Sequence, residues 1–269
     1  MTAPLPPPLQ VDQAAYDRLA ADVLGLLGID LAQYKPAQVW RRVNAFAARH
    51  GQPDAPALVA AARRDADLRQ AFRDMLTINV SEFFRDPAAF AVLRDRFLAP
   101  LLRTGQPLRL WSAGCSVGFE PVTLAILVRE LAPTALVRIL ATDIDDGALA
   151  KARALWFPEA QMGGVDAARR SRFFRPLDGG WAVRPELGAL IRFARHDLLR
   201  DRAAGTFDVV ACRNVVIYFT EAAKGELYRR IAAALAPGGV LFVGATESIL
   251  DPHAVGLEPA GMGFYRRPQ

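Results

Sequence analysis

Residues 108–143 restrict the fold more than any other stretch of the chain. Leu108-Arg-Leu-Trp-Ser-Ala113 reads as an apolar strand that runs straight into Gly114-Cys-Ser-Val-Gly118. A helix follows, and Asp143 closes a second strand, Val137-Arg-Ile-Leu-Ala-Thr-Asp143. Small residues at a strand–helix turn, Ala113 and Gly114 here, let a ligand approach the backbone. An acid at the end of the second strand can accept from two ribose hydroxyls. Together they imply a nucleoside-binding α/β fold.

The sequence after residue 107 supports that reading. Apolar strand candidates at 108–113, 137–142, 190–194, 207–211 and 239–244 alternate with helical stretches at 121–132, 146–154 and 221–236. Such alternation builds a parallel sheet covered by helices on both faces. Ala236-Pro-Gly-Gly239 is a stop-and-turn before Val240-Leu-Phe-Val243, and Gly263-Phe-Tyr-Arg266 suits a final antiparallel strand. Residues 155–188 interrupt the pattern. Within them Phe173-Phe-Arg-Pro and Trp181-Ala-Val-Arg flank Asp178-Gly179-Gly180, which predicts a hairpin inserted in the crossover.

Residues 11 to about 100 read as helical. Val39, Val43, Phe46 and Ala47 repeat at helical spacing, while Arg42 and Arg49 fall on another face of the same segment. From Ala32 to Pro53 there is no acidic residue, so this positive face is either a solvated surface or a docking surface for an acidic partner. Further helices are expected over 54–76 and 86–102, with Gly105-Gln-Pro107 as a break. The expected organisation is a disordered tail at 1–10 and a helical docking domain at 11–76. A linker and helix are expected at 77–104 and a ligand-binding domain at 105–269, with its insert at 155–188.

Composition excludes several classes. At 269 residues and 52% hydrophobic, the chain can bury real cores. Two cysteines, Cys115 and Cys212, make no disulfide framework and point to a reducing cytoplasm. His50, His196 and His253 show no metal-ligand spacing, so no metal is expected. The first ten residues lack a basic n-region and an unbroken apolar core, and no apolar run reaches the roughly 18 residues of a membrane span. The formal charge of +5 fits nucleic acid or an acidic protein partner equally well.

Two enzyme classes compete for the opening motif. Gly114-Cys-Ser-Val-Gly118 fits the G-x-S-x-G elbow of hydrolases, with His253 and Asp208 available to complete a triad around Ser116. That elbow needs oxyanion donors from an earlier strand–helix loop, and everything before Leu108 reads as helical. A dehydrogenase would also place an acid after its second strand, but the regular glycine triplet that moulds a pyrophosphate site is missing. A nucleoside cofactor without phosphates does not require it. Phe207-Asp-Val-Val-Ala-Cys-Arg-Asn214 is a strand whose end delivers polar residues, so Asp143, Asp197 and Asn214 are expected to converge at the carboxyl ends of the strands.

Five segments occur in order: Thr77-Ile-Asn-Val-Ser-Glu-Phe-Phe-Arg-Asp86, Trp111-Ser-Ala-Gly-Cys-Ser-Val-Gly-Phe-Glu-Pro121, Ala141-Thr-Asp-Ile-Asp145, Cys212-Arg-Asn-Val-Val-Ile-Tyr-Phe219 and Gly244-Ala-Thr-Glu-Ser248. Together they resemble the chemoreceptor glutamate methyltransferases, the CheR family, over nearly the whole chain. The resemblance implies a class I, S-adenosylmethionine-dependent methyltransferase with a Rossmann-like, seven-stranded, mostly parallel sheet, an all-α N-terminal domain and a small antiparallel β insert. It implies a monomer that converts glutamates on the cytoplasmic helical bundle of a methyl-accepting receptor to γ-methyl esters, without nucleic-acid binding or membrane insertion.

The same resemblance assigns residues. Asn79, Ser81 and Arg85 would reach the cofactor, Arg85 through a guanidinium fork that suits a carboxylate. Ala113 and Gly114 would line the turn, Glu120 would hold the amino-acid portion and Asp143 the ribose. Asp197 and Leu198 would face the adenine, and Arg213 and Asn214 would line the floor. Tyr218 would sit near the transferred methyl, so Arg85 and Tyr218 are the expected catalytic pair. Phe83 and Phe84 are expected to pack, and Cys212 to be a buried thiol. Arg42 and Arg49 would dock the acidic receptor.

The chain departs from the family pattern at Gly118-Phe-Glu-Pro-Val-Thr123, where Gly-Glu-Glu-Pro-Tyr-Ser is usual. Asp197-Leu198 replaces Asn-Leu, and Gly244-Ala-Thr-Glu247 replaces Gly-His-Ser-Glu. Substrate choice, including a pathway other than chemotaxis, is where these changes would act. Nucleic-acid methylation and a non-catalytic cofactor-sensing adaptor are the alternative functions. Whether the insert docks a receptor tail, as in some relatives, or is a plain connector stays open.

Overall fold

The computed structural model describes residues 11–77, 81–203, 205–244 and 247–269. Contacts divide the chain into two compact units. Of the described residues, 11–77 together with Tyr218–Ala223 form a helical unit, and the others form a sheet unit.

The helical unit contains α1 (Gln13–Leu27), α2 (Pro36–Arg49), α3 (Ala55–Arg64) and α4 (Ala66–Thr77). Asp12 caps α1 by accepting from the Ala14 and Ala15 amides, and Gly28 ends it in the left-handed conformation. Pro36 starts α2 at a position where its missing N–H costs nothing. Val39, Val43, Phe46 and Ala47 are buried as their spacing predicts, against Tyr16, Val23, Leu58 and Phe72. The single helix expected over 54–76 is broken. Asp65 adopts extended backbone and its Oδ1 accepts from the Asp67 and Leu68 amides, so it ends α3 and caps α4.

The sheet unit begins with helical residues that pack into its core. α5 (Pro87–Val92), a π-helical segment (Leu93–Leu98) and α6 (Ala99–Arg103) replace the one regular helix expected over 86–102. Pro100 has no N–H for the preceding turn, which suits the wider spacing just before it. Phe83, Phe84, Phe90, Leu93 and Phe97 are buried in the core that also holds Leu108, Leu110, Val209 and Ala211. Residues 81–104 are therefore built into this unit and do not behave as a linker.

The main sheet is formed by β1 (Leu108–Ala113), β2 (Val137–Asp143), β6 (Ile191–Arg195), β7 (Phe207–Cys212), β8 (Leu235–Val243), β9 (Glu258–Gly261) and β10 (Phe264–Arg266). Their order is β6-β2-β1-β7-β8-β10-β9. All neighbouring pairs from β6 to β8 are parallel, and β10 pairs antiparallel with both β8 and β9. α7 (Phe119–Leu131), α8 (Asp146–Ala154) and α11 (Glu221–Ala234) alternate with the strands. The expected turn at 236–239 lies inside β8 as a break in its register: Phe207 pairs with Leu235, and Val209 next pairs with Val240.

Residues 155–188 hold more than a hairpin. β4 (Phe174–Leu177) and β5 (Gly180–Val183) form it, and β3 (Trp156–Pro158) adds a third antiparallel strand in the order β3-β5-β4. α9 (Ala167–Phe173) and the short α10 (Pro185–Gly188) complete the insert. The Phe157 and Phe174 rings meet Phe83 at 4.7 and 5.5 Å, which ties the insert to the main core.

Candidate functional site

β1 is the point where the strand order reverses, with β2 on one side and β7 on the other. In open α/β sheets, ligands bind beyond the carboxyl ends of the strands at such a point. The Gly114 and Cys115 amides both donate to the Thr142 carbonyl at 2.8 Å, strapping the turn after β1 to the end of β2. Gly114, Ser116 and Gly118 have φ of 83°, 49° and 99°, the left-handed region. A Cβ on Gly114 would stand 2.5 Å from Val215 Cγ2, so that turn depends on the missing side chain.

Two acids flank the turn. Asp143 Oδ2 accepts from the Ser116 amide at 2.7 Å and Oδ1 accepts from the Asp145 amide at 3.0 Å. Burial pushes its carboxyl up from the ordinary value, and these N–H donors act in the opposite direction. Glu120, in the first turn of α7, accepts from the Ser112 hydroxyl at 2.7 Å. Burial raises its carboxyl too, the nearby Arg213 guanidinium opposes the rise, and Glu247 adds to it.

Arg213 follows β7 with its side chain only 4% exposed. Its guanidinium lies 4.8 Å from the Phe90 ring centroid and 4.5 Å from that of Phe242. Nη2 is 3.8 Å from Asp86, and Nε is buried without a hydrogen-bond partner. Burial lowers its pKa, while Glu120 and Asp86 favour the charged form and Arg85 disfavours it. Arg85 thus stands within electrostatic reach of Arg213. It occupies a tight turn in which Phe84 and Asp86 have φ of 53° and 65°.

The structure brings Ala113, Gly114, Glu120, Asp143, Arg213 and Asn214 to the ends of adjacent strands. Ser81 and Arg85 are half-buried, and Asn79 lies outside the described residues. The His196 amide donates to the Asp143 carbonyl at 2.9 Å, which places Asp197 and the buried Leu198 just beyond β2. Asp197 Oδ1 accepts from the Leu199 amide and Oδ2 lies 3.8 Å from Arg200, so its carboxylate also shapes its own turn.

Two residues, Tyr218 and Arg42, differ from expectation. Tyr218, expected within the catalytic domain, groups with the helical unit: its carbonyl accepts from the Lys35 amide at 2.8 Å, and the adjacent Phe219 meets Tyr34 edge-on at 5.0 Å. Arg42 is not a freely solvated cation. Its Nη2 donates to the Met75 carbonyl, its guanidinium stacks on Tyr218, and burial lowers its pKa. Arg49 is exposed and lies 5.7 Å from the Phe46 ring centroid.

Sequence reasoning gave Glu247 no role, yet its buried carboxylate holds three backbone amides at the ends of β7 and β8. An acid four residues past an apolar strand, after a glycine, was the available signal. The hydrolase alternative loses its geometry. Asp208 accepts from the Arg109 amide at 2.7 Å at the start of β1, the end of the strand opposite Ser116.

These residues fit a cofactor that joins a nucleoside to an amino acid without phosphates. Glu120 suits an ammonium and Asp143 a ribose, while the small-residue turn at Gly114 leaves room for close approach. Cys115 and Cys212 are buried with thiols pushed up, which suits packing and not nucleophilic chemistry. Among the described residues no group of three or more His, Cys, Asp and Glu is placed to hold a metal ion.

Comparison with known proteins agrees with this geometry. Residues 79–260 match the family described as CheR methyltransferase, SAM binding domain, and residues 14–77 match CheR methyltransferase, all-alpha domain. A chemotaxis protein methyltransferase of Listeria innocua is 36% identical over 260 residues, 96% of this chain and 98% of that protein. Chemotaxis protein methyltransferase 1 of Pseudomonas aeruginosa is 37% identical over 234 residues, 82% of this chain and 85% of its own. The corresponding protein of Vibrio cholerae is 37% identical over 196 residues, 69% and 70% of the two chains. With an S-adenosylmethionine-binding sheet unit and an all-α unit both matched along their length, the chain belongs to the CheR methyltransferase family.

Proposed function

We propose that this protein transfers a methyl group from S-adenosylmethionine to glutamate side chains of chemoreceptor-type signalling proteins, giving γ-methyl esters and S-adenosylhomocysteine. The observation that carries the reading is the pair of buried acids, Glu120 and Asp143, on either side of the Gly114–Gly118 turn. When bound, the cofactor would supply an electrophilic methyl on a sulfonium, with a glutamate oxygen as the acceptor and S-adenosylhomocysteine as the leaving group.

The chain's own residues serve this reaction by alignment. An ionised glutamate is already a nucleophile, so the site needs orientation and exclusion of water more than a general base. Glu120 holds the cofactor ammonium, and Asp143 holds the ribose while keeping the Ser116 turn in place. Arg85 and Arg213 put positive charge beside the path of the incoming carboxylate. Leu198 and Asp197 border the adenine, and Asn79 and Ser81 complete the cofactor contacts. Tyr218 offers its hydroxyl near the transferred methyl. Arg42 and Arg49 orient an acidic receptor bundle, adding encounter rate and register rather than methyl-transfer power.

The proposed setting is the cytoplasm, with the protein acting as a monomer on the cytoplasmic bundle of its receptor. Among the described residues no helix is long and apolar enough to cross a membrane. The test is transfer of labelled methyl from S-adenosylmethionine to a receptor cytoplasmic fragment, followed by alkali. Volatile methanol marks an ester. Alkali-stable label, or label carried by RNA, would overturn the assignment.

A further inference from the structure

Glu247 stands outside every role assigned above, yet it is among the most completely bonded side chains in the sheet unit. It is 6% exposed. Its Oε2 accepts from the Asn214 amide at 2.5 Å and from the Gly244 amide at 2.8 Å. Oε1 accepts from the Val216 amide at 3.1 Å. One carboxylate therefore joins the loop after β7 to the end of β8. It also lies close enough to Glu120 and Cys212 to push their pKa values up.

The loop it holds does not relax there freely. Asn214 has φ of 59°, a left-handed conformation that asparagine tolerates better than most side-chain-bearing residues but that its surroundings must still select. Such a conformation is kept in one place when its surroundings fix it from more than one side. Glu247 supplies that determination from both sides, through the amide of Asn214 and the amide two residues later. Gly244 permits the approach: a Cβ there would stand 2.5 Å from Glu247 Oε2 and 2.9 Å from Asn214 Nδ2.

We propose that Glu247 is a positioning residue for the cofactor site, fixing Asn214 and its loop in the binding geometry by accepting three backbone N–H bonds, with Gly244 as the required gap. This rests on the reading of Asn214 as a cofactor contact. A carboxylate is the suitable group, because it accepts at every oxygen lone pair and presents no donor. Glutamine in its place turns an N–H toward one of the amide donors, so at least one bond is lost. Aspartate keeps the charge but falls one methylene short.

The experiment is a double-mutant cycle on the full chain, with S-adenosylhomocysteine affinity measured by calorimetry for wild type, Asn214→Ala, Glu247→Gln and the double variant. Each single change is expected to weaken binding about tenfold or more, and the double variant to be within about threefold of the weaker single, because both act through one loop. Losses that multiply would show that Glu247 acts elsewhere and overturn the proposal, as would wild-type affinity in Glu247→Gln. Wild-type affinity in Asn214→Ala would instead overturn the Asn214 reading and take the proposal with it, a failure visible in a different arm. Glu247→Asp should recover part of the affinity lost in Glu247→Gln; no recovery counts against a charge-specific acceptor. If Glu247→Gln does not fold, Gly244→Ala takes its place in the cycle, since it separates the same two groups with the carboxylate retained. Non-additivity with Asn214→Ala is again the supporting result, and additivity the overturning one.

Discussion

The guanidinium of Arg42 lies over the Tyr218 ring, 5.0 Å from its centroid, while its Nη2 donates to the Met75 carbonyl. The residue expected to meet the receptor is thus held by the residue expected to meet the methyl group. The two contributions separate by substitution. Tyr218→Phe keeps the aromatic face and removes the hydroxyl, so kcat should fall about tenfold with the KM for S-adenosylmethionine nearly unchanged. Arg42→Ala loses a stacking contact of about 0.5–1 kcal/mol and a hydrogen bond, and should raise the KM for receptor. Methanol-release kinetics with each substrate varied in turn distinguish the two patterns. An unchanged kcat in Tyr218→Phe would remove the hydroxyl from the mechanism.

Burial raises the Glu120 carboxyl from its ordinary value of 4.5, so the fold favours the neutral acid. A raised carboxyl contributes stability that is complete below the unfolded value and lost as pH rises through the folded value. A bound ammonium reverses the preference, because it pairs only with the ionised form. Affinity for S-adenosylhomocysteine should therefore increase with pH in the window above 4.5. Glu120→Gln should weaken binding by roughly one to two orders of magnitude and flatten that dependence. The Asp143 carboxyl is raised as well and leaves a residual slope, so the quantity to compare is the difference between the two profiles. Parallel profiles would exclude Glu120 as the ammonium partner.

Gly114 combines φ of 83° with a Cβ position blocked by Val215. Gly114→Ala should cost about 1–2 kcal/mol from the backbone alone, and cofactor affinity should drop about tenfold or more. Adding Val215→Ala removes the overlap but not the backbone cost. The double variant should recover only part of the loss in calorimetry; full recovery would mean that φ at this position carries no cost.

Arg169 forms a two-pronged pair with Glu130, at 2.8 and 3.0 Å, and covers the Phe84 ring at 4.2 Å from its centroid. Both partners are about one-quarter exposed, so the pair is only partly screened. Arg169→Ala should reduce stability by about 1–2 kcal/mol, and Arg169→Lys should recover less than half, because lysine supplies neither the fork nor the flat stacking face. Denaturant midpoints measure both. A lysine variant as stable as wild type would show that charge alone matters there.

Much of the site was legible in the sequence because its signals are local. Asp143 closes an apolar run, Gly114 and Gly118 mark a turn, and Arg213-Asn214 end a strand, so alternation and turn chemistry place them without further help. The buried face of α2 followed from helical spacing in the same way. Other features depend on partners distant in sequence. β9 is Glu258-Pro-Ala-Gly261, without β-branched residues, and it becomes a strand because β10 supplies its ladder. Tyr218 lies inside the Cys212–Phe219 segment that begins in the sheet unit, yet Lys35 and Tyr34 draw it to the helical unit. Arg42 could be read only as part of a solvated or docking face, because its partners, Met75 and Tyr218, lie 33 and 176 positions away. Asp65 is the intermediate case: an acid inside a helical pattern is a possible cap, but only the extended backbone at that position shows that the helix breaks there.

Phe83 shows how far the three-stranded insert can be treated as a separable part. Its ring sits among Phe119, Phe157 and Phe174, and Gly164 of the insert lies so close to the Phe83 carbonyl that it has no room for a side chain. Exchange of inserts between relatives would have to carry position 83 and its aromatic neighbours with it. The root of this sheet is thereby packed as one body with the turn that presents Arg85.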